Sequence, residues 1–376
     1  MTEPVVVVVE QLRRRVPGGI GRYASGLLDG LRALGGPEVE LLASRPRTAG
    51  SDPLEAWGFP VRASALPAPL LTAAWDVGLA SVRAARLVHS VSLAAPAVRT
   101  RRAARAPLVV TVHDLAWRAY PETTTSRGRR WHEAALGRAL GRADAFVVPS
   151  IPVAEALVSA GADTARVRVI PHGMDHLQTL DTSGAALLLR RLGVTGGYLL
   201  TVATLEPRKN LTRLLTAFAR ARPSLGGLFQ LVVVGPRGWG EAGLVDTEGV
   251  AAAGEVDDSV LAALYDRARA FAYVPLTEGF GLPPLEAMAR GVPVVSSVGV
   301  PSTAPALGAP VDKFGTDAAA LRVDPSTVDD IASALVRVSS DVALRSALVA
   351  RGKALVAPLT WRASAAAHVA WWESIA

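Results

Sequence analysis

Apolar and polar positions along the chain follow two patterns, short continuous apolar runs and longer segments with a helical period. Val5–Glu10 is largely a continuous apolar run, which is typical of a parallel strand buried on both faces. Four residues, Gly18–Gly21, then supply a glycine turn, and a helical segment extends from Arg22 to Leu34. The chain therefore begins with a strand, a turn and a helix.

The same order repeats through the first half and then starts again in the second. The other strands predicted in the first half are Val39–Ala43, Leu87–His89, Leu108–Val112, Ala145–Pro149 and Val167–Ile170, with a helix at Val153–Ala160. The second half is predicted to contain the strands Tyr198–Ala203, Gln230–Val234, Ala270–Val274 and Val292–Ser296, and the helices Asn210–Ala221, Val256–Ala268, Pro284–Arg290 and Trp361–Ile375. Residues 181–197 show no strand pattern and are predicted to be a crossover. Strands that alternate with helices predict two doubly wound α/β domains with a cleft between them.

Length and composition fit that architecture. The chain has 376 residues, which is more than one hydrophobic core usually holds, and 50% of them are hydrophobic. It has no cysteine, so disulfides, thiolate catalysis and cysteine-ligated zinc are excluded. No signal-peptide pattern and no apolar run of membrane-spanning length is present, so we expect a cytoplasmic protein.

Positive charge is concentrated in the first half. Residues 1–175 contain 22 arginines and 15 acidic residues, whereas residues 176–376 contain 18 basic and 18 acidic residues. This excess is either a solvated basic surface or a surface that meets phosphates or an anionic membrane. A nucleic-acid partner is not expected, because aromatic residues make up only 5% of the chain and do not alternate with the basic ones.

Two cations follow the first strand of the second half. Arg208 and Lys209 lie between that predicted strand and a helix for which Asn210 is a plausible N-cap. Ligands of such sheets bind at the carboxyl ends of strands, near helix N-termini. Two cations at the positive end of a helix therefore indicate a phosphate or diphosphate site. Ordinary surface charge is the alternative.

Other polar positions after strands are less specific. Gly18–Gly21 would let backbone N–H groups approach an anion, although a plain tight turn explains the glycines equally well. His113, next to Asp114, could polarise a substrate hydroxyl or could be hydrogen-bonded only for structure. The six histidines do not show metal-ligand spacing, so we expect no metal site.

Two glutamates, Glu278 and Glu286, flank a turn-rich FGLPP segment in the second half. Gly279 and Gly281 allow a tight backbone, and the prolines would fix the start of a helix that carries Glu286 in its first turn. Glu286 could accept two ribose hydroxyls, and Glu278 could face the sugar or phosphate end of a nucleotide. Nothing in the sequence makes the two acids flank a single bond, as glycoside hydrolysis requires.

The segment EGFGLPPLEAMARGVPVV resembles the E-x7-E signature of the retaining glycosyltransferase family 4, which has the GT-B fold. Six further segments match in the same order, namely PGGIGRY, TVHDLAW, VIPHGMD, TLEPRKNL, VVVGPRGWG and GEVDDSVLAALYDRARAFAYVP. This resemblance covers almost the whole chain. It implies two Rossmann-like domains that face a central cleft: an acceptor-binding domain at 1–178, a nucleotide-sugar-binding domain at 179–360, and a C-terminal helix at 361–376 that packs back on the first domain.

The resemblance also implies roles for particular residues. Arg208 and Lys209 would neutralise the diphosphate, Glu286 would bind the ribose, and Glu278 would face the donor sugar. His113 would contact that sugar near the reacting carbon, and Gly19 would approach the diphosphate across the cleft. The predicted catalytic residues are thus His113, Arg208, Lys209 and Glu278, and the predicted donor-binding residues are Gly19, Gly281 and Leu282 through their backbones, Gly254, Glu255 and Val256 around the base, and Glu286. The family often has an arginine where this chain has Ala203, so the family's detailed phosphate contacts cannot be assigned to this chain.

The activity implied is transfer of a hexose with retention, by front-face attack and without a metal or any cofactor besides the nucleotide sugar. TLEPRKN-type relatives favour mannose from GDP-mannose, given to a glycan, a lipid-linked acceptor or a small molecule. A UDP-sugar enzyme of the same fold and a non-catalytic partner subunit are the alternatives. Arg99, Arg101, Arg102 and Arg105 would give the first domain a peripheral contact with the inner face of an anionic membrane.

Overall fold

The computed structural model describes residues 3–46, 52–83, 85–98, 105–226, 229–236, 247–304 and 318–376. The chain forms two compact units. The first unit combines residues 1–173 with Thr360–Ala376, and the second unit is Met174–Leu359. Each unit has its own sheet and its own hydrophobic core.

The first unit is built on a parallel sheet of seven strands in the order β3-β2-β1-β5-β7-β8-β9. Two further strands, β4 and β6, form a separate parallel pair. The strands are β1 (Val5–Val8), β2 (Val39–Ala43), β3 (Val61–Ala63), β4 (Ser81–Val82), β5 (Leu87–Ser90), β6 (Ala97–Val98), β7 (Leu108–Thr111), β8 (Ala145–Val148) and β9 (Val167–Val169). Every residue of β1 is buried, as its unbroken apolar run predicts.

Helices of the first unit connect these strands. They are α1 (Gly18–Leu34), α2 (Ala68–Asp76), α3 (Ala116–Ala119), α4 (Ser126–Arg142) and α5 (Ile151–Ser159). The apolar stripe of α1 buries Tyr23, Leu27 and Leu31 against the sheet, and α1 ends at Gly35, whose φ of 60° is left-handed.

The second unit has a parallel sheet of six strands in the order β12-β11-β10-β13-β14-β15. The strands are β10 (Tyr198–Val202), β11 (Gln230–Val234), β12 (Val250–Gly254), β13 (Ala270–Tyr273), β14 (Val294–Ser297) and β15 (Leu321–Val323). After β10 the chain adds β11 and β12 on one side and then crosses to add β13 on the other. The switch point, where such sheets bind ligands, therefore lies between the carboxyl ends of β10 and β13.

In the described part of the second unit, six helices cover the sheet. They are α6 (Thr182–Arg191), α7 (Leu211–Leu225), α8 (Asp258–Arg267), α9 (Leu282–Ala289), α10 (Val328–Ser340) and α11 (Val342–Val356). Side-chain caps begin two of them: Asp181 accepts from Gly184 N at 2.8 Å, and Asp341 accepts from Leu344 N at 2.9 Å.

The last helix, α12 (Trp361–Glu373), belongs to the first unit and packs on α1. Two glycines of α1 make this close approach possible. A Cβ added at Gly26 would lie 2.0 Å from the Trp361 ring, and one at Gly30 would lie 2.2 Å from the Trp361 carbonyl oxygen. The first unit therefore needs glycine at both positions to seat α12.

The predicted α/β class with two parallel sheets is confirmed. Several details were wrong. Glu10 is not in the first strand but begins a 3-10 turn. Residues 181–197, by contrast, contain no strand, as predicted, and their crossover is formed by α6. The sequence patterns did not predict β3, β12, β15 or most of the helices after α9. No helix in the described part of the chain is both long enough and apolar enough to span a membrane.

Candidate functional site

The predicted cations and the first glutamate meet at the switch point of the second sheet. Arg208 and Lys209 lie in a 3-10 turn just after β10, and Glu278 lies in the loop after β13. Because β10 and β13 are parallel neighbours, their carboxyl ends bring these two loops together.

Glu278 is held by three donors. Lys209 Nζ lies 2.5 Å from its Oε1, and Arg208 Nη1 lies 3.2 Å from its Oε2. The Tyr273 hydroxyl donates to Oε1 at 2.8 Å. All three charged side chains are largely buried, with between 10% and 18% of their surface exposed. The carboxylate therefore fixes both cations in a site that is mostly shielded from water.

Charge at this site decides the protonation of Glu278. Burial alone raises the pKa of the carboxyl, but the positive charges of Arg208 and Lys209 and the two hydrogen bonds outweigh burial and lower the pKa to about 2. Burial, reinforced by the negative charge of Glu278, raises the pKa of Tyr273 well above its usual value. At neutral pH the glutamate is thus ionised and the tyrosine keeps its proton.

Arg208 has further partners. Its guanidinium lies 3.1 Å from Glu206 Oε1 and donates to the carbonyl of Thr277 at 3.0 Å, while its own carbonyl accepts from Leu276 N at 3.0 Å. The two cations are therefore balanced by two carboxylates, Glu206 and Glu278. The loops after β10 and β13 are joined through backbone and side chain.

Asn210 was predicted as the N-cap of the next helix, and this role is only partly right. It precedes α7, but its side chain makes no capping bond. Instead, its amide donates to the carbonyls of Val274 at 2.9 Å and Pro325 at 2.8 Å. In the described ranges it is the only non-glycine residue with positive φ, at 59°. This conformation ties the loop after β10 to the loops after β13 and β15.

Glu286 lies in α9 and is 6% exposed. Because α9 begins at Leu282, Glu286 falls in its second turn, and the predicted first-turn position was wrong. Its Oε1 lies 3.1 Å from His176 Nε2, and the Tyr265 hydroxyl donates to its Oε2 at 2.9 Å. Each carboxylate oxygen has two lone pairs, so the group can still accept two bonds from a ligand.

Sequence reasoning missed His176 and Tyr265. His176 is 110 residues before Glu286, and Tyr265 is 21 residues before it. The only signal in the sequence was the polar segment HGMDH, which follows β9 and ends in His176.

Gly281 occupies a position that requires glycine. Its φ is 98°, and a Cβ there would lie 2.4 Å from Val300 Cγ1. The Ser302 hydroxyl donates to the Gly281 carbonyl at 2.7 Å. Leu282 follows as the first residue of α9, and prolines occupy the start of the helix as predicted.

Gly254, Glu255 and Val256 lie at the end of β12, the outermost strand on its side of the sheet. Gly254 has a φ of 71°, and its carbonyl accepts from Gly235 N at 2.8 Å. Glu255 is exposed and Val256 is half-buried. Their contact with a nucleobase stays a prediction.

Gly19 and His113 are in the first unit, so their predicted contacts with a donor stay predictions. Gly19 is exposed in the first turn of α1, and an added Cβ would have no heavy atom within 4 Å. His113 Nε2 lies 2.8 Å from the Val91 carbonyl, which can only accept, so Nε2 carries the proton. Burial lowers the pKa of His113, and its neutral ring therefore presents Nδ1 as an acceptor.

The other histidine predicted at a strand end, His89, belongs to a buried chain of hydrogen bonds. His89 Nε2 lies 2.8 Å from Thr111 Oγ1, which lies 3.0 Å from the Tyr23 hydroxyl. That hydroxyl is 2.8 Å from His368 Nε2, and His368 Nδ1 is 2.8 Å from the Ser364 carbonyl. We call this chain the histidine relay.

The direction of every bond in the histidine relay can be deduced. The Ser364 carbonyl only accepts, so His368 carries its proton on Nδ1 and accepts at Nε2. Tyr23 must then donate to His368 and accept from Thr111, which accepts in turn from His89. Burial lowers the pKa of His368 to about 4 and that of His89 well below its usual value, so both rings are neutral.

Two arginines of the basic clusters, Arg13 and Arg105, are paired with acidic residues. Arg99, Arg101 and Arg102 lie outside the described residues, whereas Arg105 forms two bonds with Asp144, at 2.9 and 2.7 Å. Arg13 is buried and paired with Asp52. Within the described ranges, no three histidine or acidic side chains are grouped so that they could hold a metal ion.

Known proteins match both units. The sequence profile for Glycosyltransferase Family 4 matches residues 17–177, and the profile for glycosyl transferases group 1 matches residues 192–355. Among solved structures, sucrose-phosphate synthase from Thermosynechococcus elongatus aligns over 99% of this chain and 98% of its own with a TM-score of 0.74 and 22% identity. Anabaena HepE in complex with UDP and glucose aligns over 99% and 100% with a TM-score of 0.70 and 18% identity.

Two curated relatives are mannosyltransferases. O-antigen chain mannosyltransferase B of Escherichia coli is 30% identical over 263 residues, which are 67% of this chain and 66% of that protein. MMP alpha-(1->4)-mannosyltransferase of Mycolicibacterium hassiacum is 28% identical over 287 residues, 71% of this chain and 65% of that protein. The alignments thus span slightly less than two thirds of these relatives. Together with the fold, they show that this chain belongs to glycosyltransferase family 4, with the GT-B fold and a likeness to its mannosyltransferases.

Proposed function

We propose that the protein transfers a hexose from a nucleoside diphosphate sugar to an acceptor hydroxyl, with retention at the anomeric carbon. The observation that carries this proposal is the pair Arg208 and Lys209 at the switch point of the second sheet, fixed by the ionised Glu278. The glycosyltransferase relatives support the same class of reaction.

The cations suit a diphosphate leaving group. When the bond to the sugar breaks, negative charge grows on the diphosphate oxygen. Arg208 and Lys209 are held in place before the reaction, and the N-terminus of α7 begins directly after them. Preorganised positive groups of this kind lower the barrier without reorganising during the reaction. This supports a reaction that takes no metal and no cofactor besides the nucleotide sugar.

Glu278 is better suited to holding the cations than to acid, base or nucleophilic chemistry. A carboxylate whose pKa is about 2 and that accepts from three donors is a weak base and a weak nucleophile. This supports front-face attack, in which the leaving diphosphate oxygen takes the proton of the acceptor hydroxyl and the acceptor oxygen bonds to the anomeric carbon on the same face.

The remaining donor contacts follow from the positions of the predicted residues. Glu286 keeps lone pairs for two ribose hydroxyls, and the sharp turn at Gly281 lets the start of α9 approach a phosphate. The acceptor is proposed to be a glycan, a lipid-linked saccharide or a small molecule. The two mannosyltransferase relatives favour GDP-mannose as the donor. A UDP-sugar is the alternative, in keeping with HepE, whose structure holds UDP and glucose.

Thermal melts with GDP, UDP, ADP and TDP test donor binding. A ligand at about one hundred times its Kd stabilises the protein by roughly 2.7 kcal/mol, which is a clear shift in Tm. We expect one nucleotide to raise the Tm of the wild type and to lose that effect in Glu286→Gln. This variant is preferable to alanine because the amide oxygen still accepts from Tyr265. If no nucleotide shifts the wild type, the protein is not a nucleotide-sugar enzyme, and the non-catalytic partner role takes its place.

Turnover then tests the reaction itself. GDP-mannose and UDP-glucose are offered with simple mannosides, nucleotide release is followed, and the anomeric configuration of the product is read by NMR. We expect an α-linked product from an α-linked donor. A β-linked product would rule out retention.

A further inference from the structure

A pocket in the first unit opens beside His113, at the carboxyl edge of the sheet. It receives side chains from the turn after β1, the end of β7, α3 and α4. The residues that matter here are Gln11, Arg14, Asp114, Trp117, Trp131 and His132. None of them was assigned a role in binding the donor.

One wall of the pocket is aromatic and rigid. His132 stacks on Trp117, with ring centroids 4.7 Å apart, and meets Trp131 edge to face at 4.9 Å. Both indole N–H groups are anchored, Trp117 to Glu133 at 2.7 Å and Trp131 to Asp76 at 3.1 Å. Trp131 and His132 are only half-buried, so packing of the core does not account for holding these rings so firmly.

Two polar side chains that line the same pocket are also held in place. Asp114 accepts from Ala116 N at 3.0 Å through Oδ1, and the Gln11 amide donates to the Pro17 carbonyl at 2.6 Å. Each contact uses one end of its side chain, which leaves the other Asp114 oxygen and the Gln11 oxygen for a ligand. Arg14 is exposed at the rim. The pocket is thus lined by hydrogen-bond acceptors and a donor as well as by aromatic rings.

We infer that this pocket binds one pyranose ring of a saccharide acceptor, which narrows the acceptor classes of the proposed function and rests on it. A pyranose has an apolar face of C–H groups, which carry slight positive charge and pack well against the negative face of an aromatic ring such as Trp131. Its hydroxyls, on the ring edge, would donate to Asp114 and Gln11. A lipid chain would leave those polar groups without partners, and a lone phosphate would not use the aromatic wall.

Saturation-transfer NMR of the full chain with methyl α-D-mannopyranoside tests this inference. We expect binding at millimolar concentration, with the strongest transfer to protons on one face of the ring. Trp131→Ala should weaken binding roughly two- to twelvefold, the equivalent of one lost aromatic contact. Trp131→Phe should keep most of the binding. Asp114→Asn, which still accepts from Ala116 N, should weaken it as well.

Trp371→Ala is the matched control. Trp371 is a half-buried tryptophan of the same unit, lies on α12, and has Arg168 stacked 4.6 Å from its ring. The inference is wrong if the mannoside does not bind the wild type, if Trp131→Ala binds it as tightly as the wild type does, or if Trp371→Ala weakens it equally. Thermal melts of the same variants with nucleotide distinguish this inference from the proposed function. If no nucleotide raises the Tm, the donor site is in doubt, and mannoside binding still tests the pocket independently.

Discussion

The two units differ in the charge of the polar side chains that they bury: in one unit these side chains are charged and paired, and in the other they are neutral. In the second unit, Arg208 and Lys209 are charged and balanced by carboxylates. In the first unit, the histidine relay buries His89 and His368 without charge. Burying a charge is costly unless it is paired, and a neutral group only needs hydrogen bonds. Paired charges are therefore suited to binding a charged ligand. The neutral histidine relay instead fastens α12 to the sheet.

Removing one cation of the charged site should have the largest effect on activity. Lys209→Ala is expected to lower kcat/KM for the donor by about 10²- to 10³-fold, because a preorganised group that stabilises the leaving charge is worth roughly 2.7–4 kcal/mol. Nucleotide release under single-substrate conditions measures this. Lys353→Ala, which removes an exposed lysine from α11, is the control. A loss of less than tenfold in Lys209→Ala would show that Lys209 does not face the leaving group.

Acid should destabilise the histidine relay. A histidine whose folded pKa is lowered takes up its proton more readily when unfolded, so stability is full above the unfolded pKa near 6.5 and falls as the pH drops towards the folded value of about 4. For His368 the loss amounts to about 3 kcal/mol at most. Urea unfolding between pH 7 and 4 measures it, and the slope should be shallower in His368→Asn. Glu278, whose folded pKa is about 2, adds its own loss of stability only below about pH 5, where the unfolded carboxyl begins to take up a proton.

Cutting the relay in the middle should have a somewhat smaller effect. Tyr23→Phe removes the hydroxyl that accepts from Thr111 and donates to His368, so that the Thr111 hydroxyl proton and His368 Nε2 each lose their buried partner. We expect the free energy of unfolding to fall by about 1–3 kcal/mol, with nucleotide-induced shifts in Tm unchanged. Tyr120→Phe, a half-buried tyrosine of the same unit, should be close to neutral. Equal losses in the two variants would contradict the relay.

The smallest expected effect comes from removing one carboxylate of the charged site in the second unit. Glu206→Gln removes one of the two carboxylates that pair with Arg208 and raises the net charge of the site by one. The donor diphosphate should then bind slightly more tightly, with its KM lowered by about fivefold (roughly 1 kcal/mol), because one negative charge no longer opposes the diphosphate in a site shielded from water. Titration of nucleotide binding in the two proteins measures the effect. Weaker binding in the variant would mean that Glu206 orients Arg208.

The sequence predicted well those features that depend on neighbours along the chain. β2 and β11 lie at their predicted bounds because their short, mainly apolar sequences, VELLA and QLVVV, stand out from the residues around them. The segment around Arg208 and Lys209 was predicted to meet a ligand because it follows a strand. By contrast, β12 was missed because VAAAG is weakly apolar and partly exposed. His176 beside Glu286 was missed because only the folded chain brings two residues 110 positions apart together.

The seat of α12 on Gly26 and Gly30 has a consequence for synthesis on the ribosome. The first unit cannot complete its core until Trp361–Glu373 has been made, and the whole second unit, Met174–Leu359, is translated in between. At about 5–20 residues per second, that interval lasts roughly ten to forty seconds. The second unit, which is continuous in sequence, can therefore fold before the first. During that wait, the groove of α1 that receives Trp361 stays exposed and open to binding by chaperones.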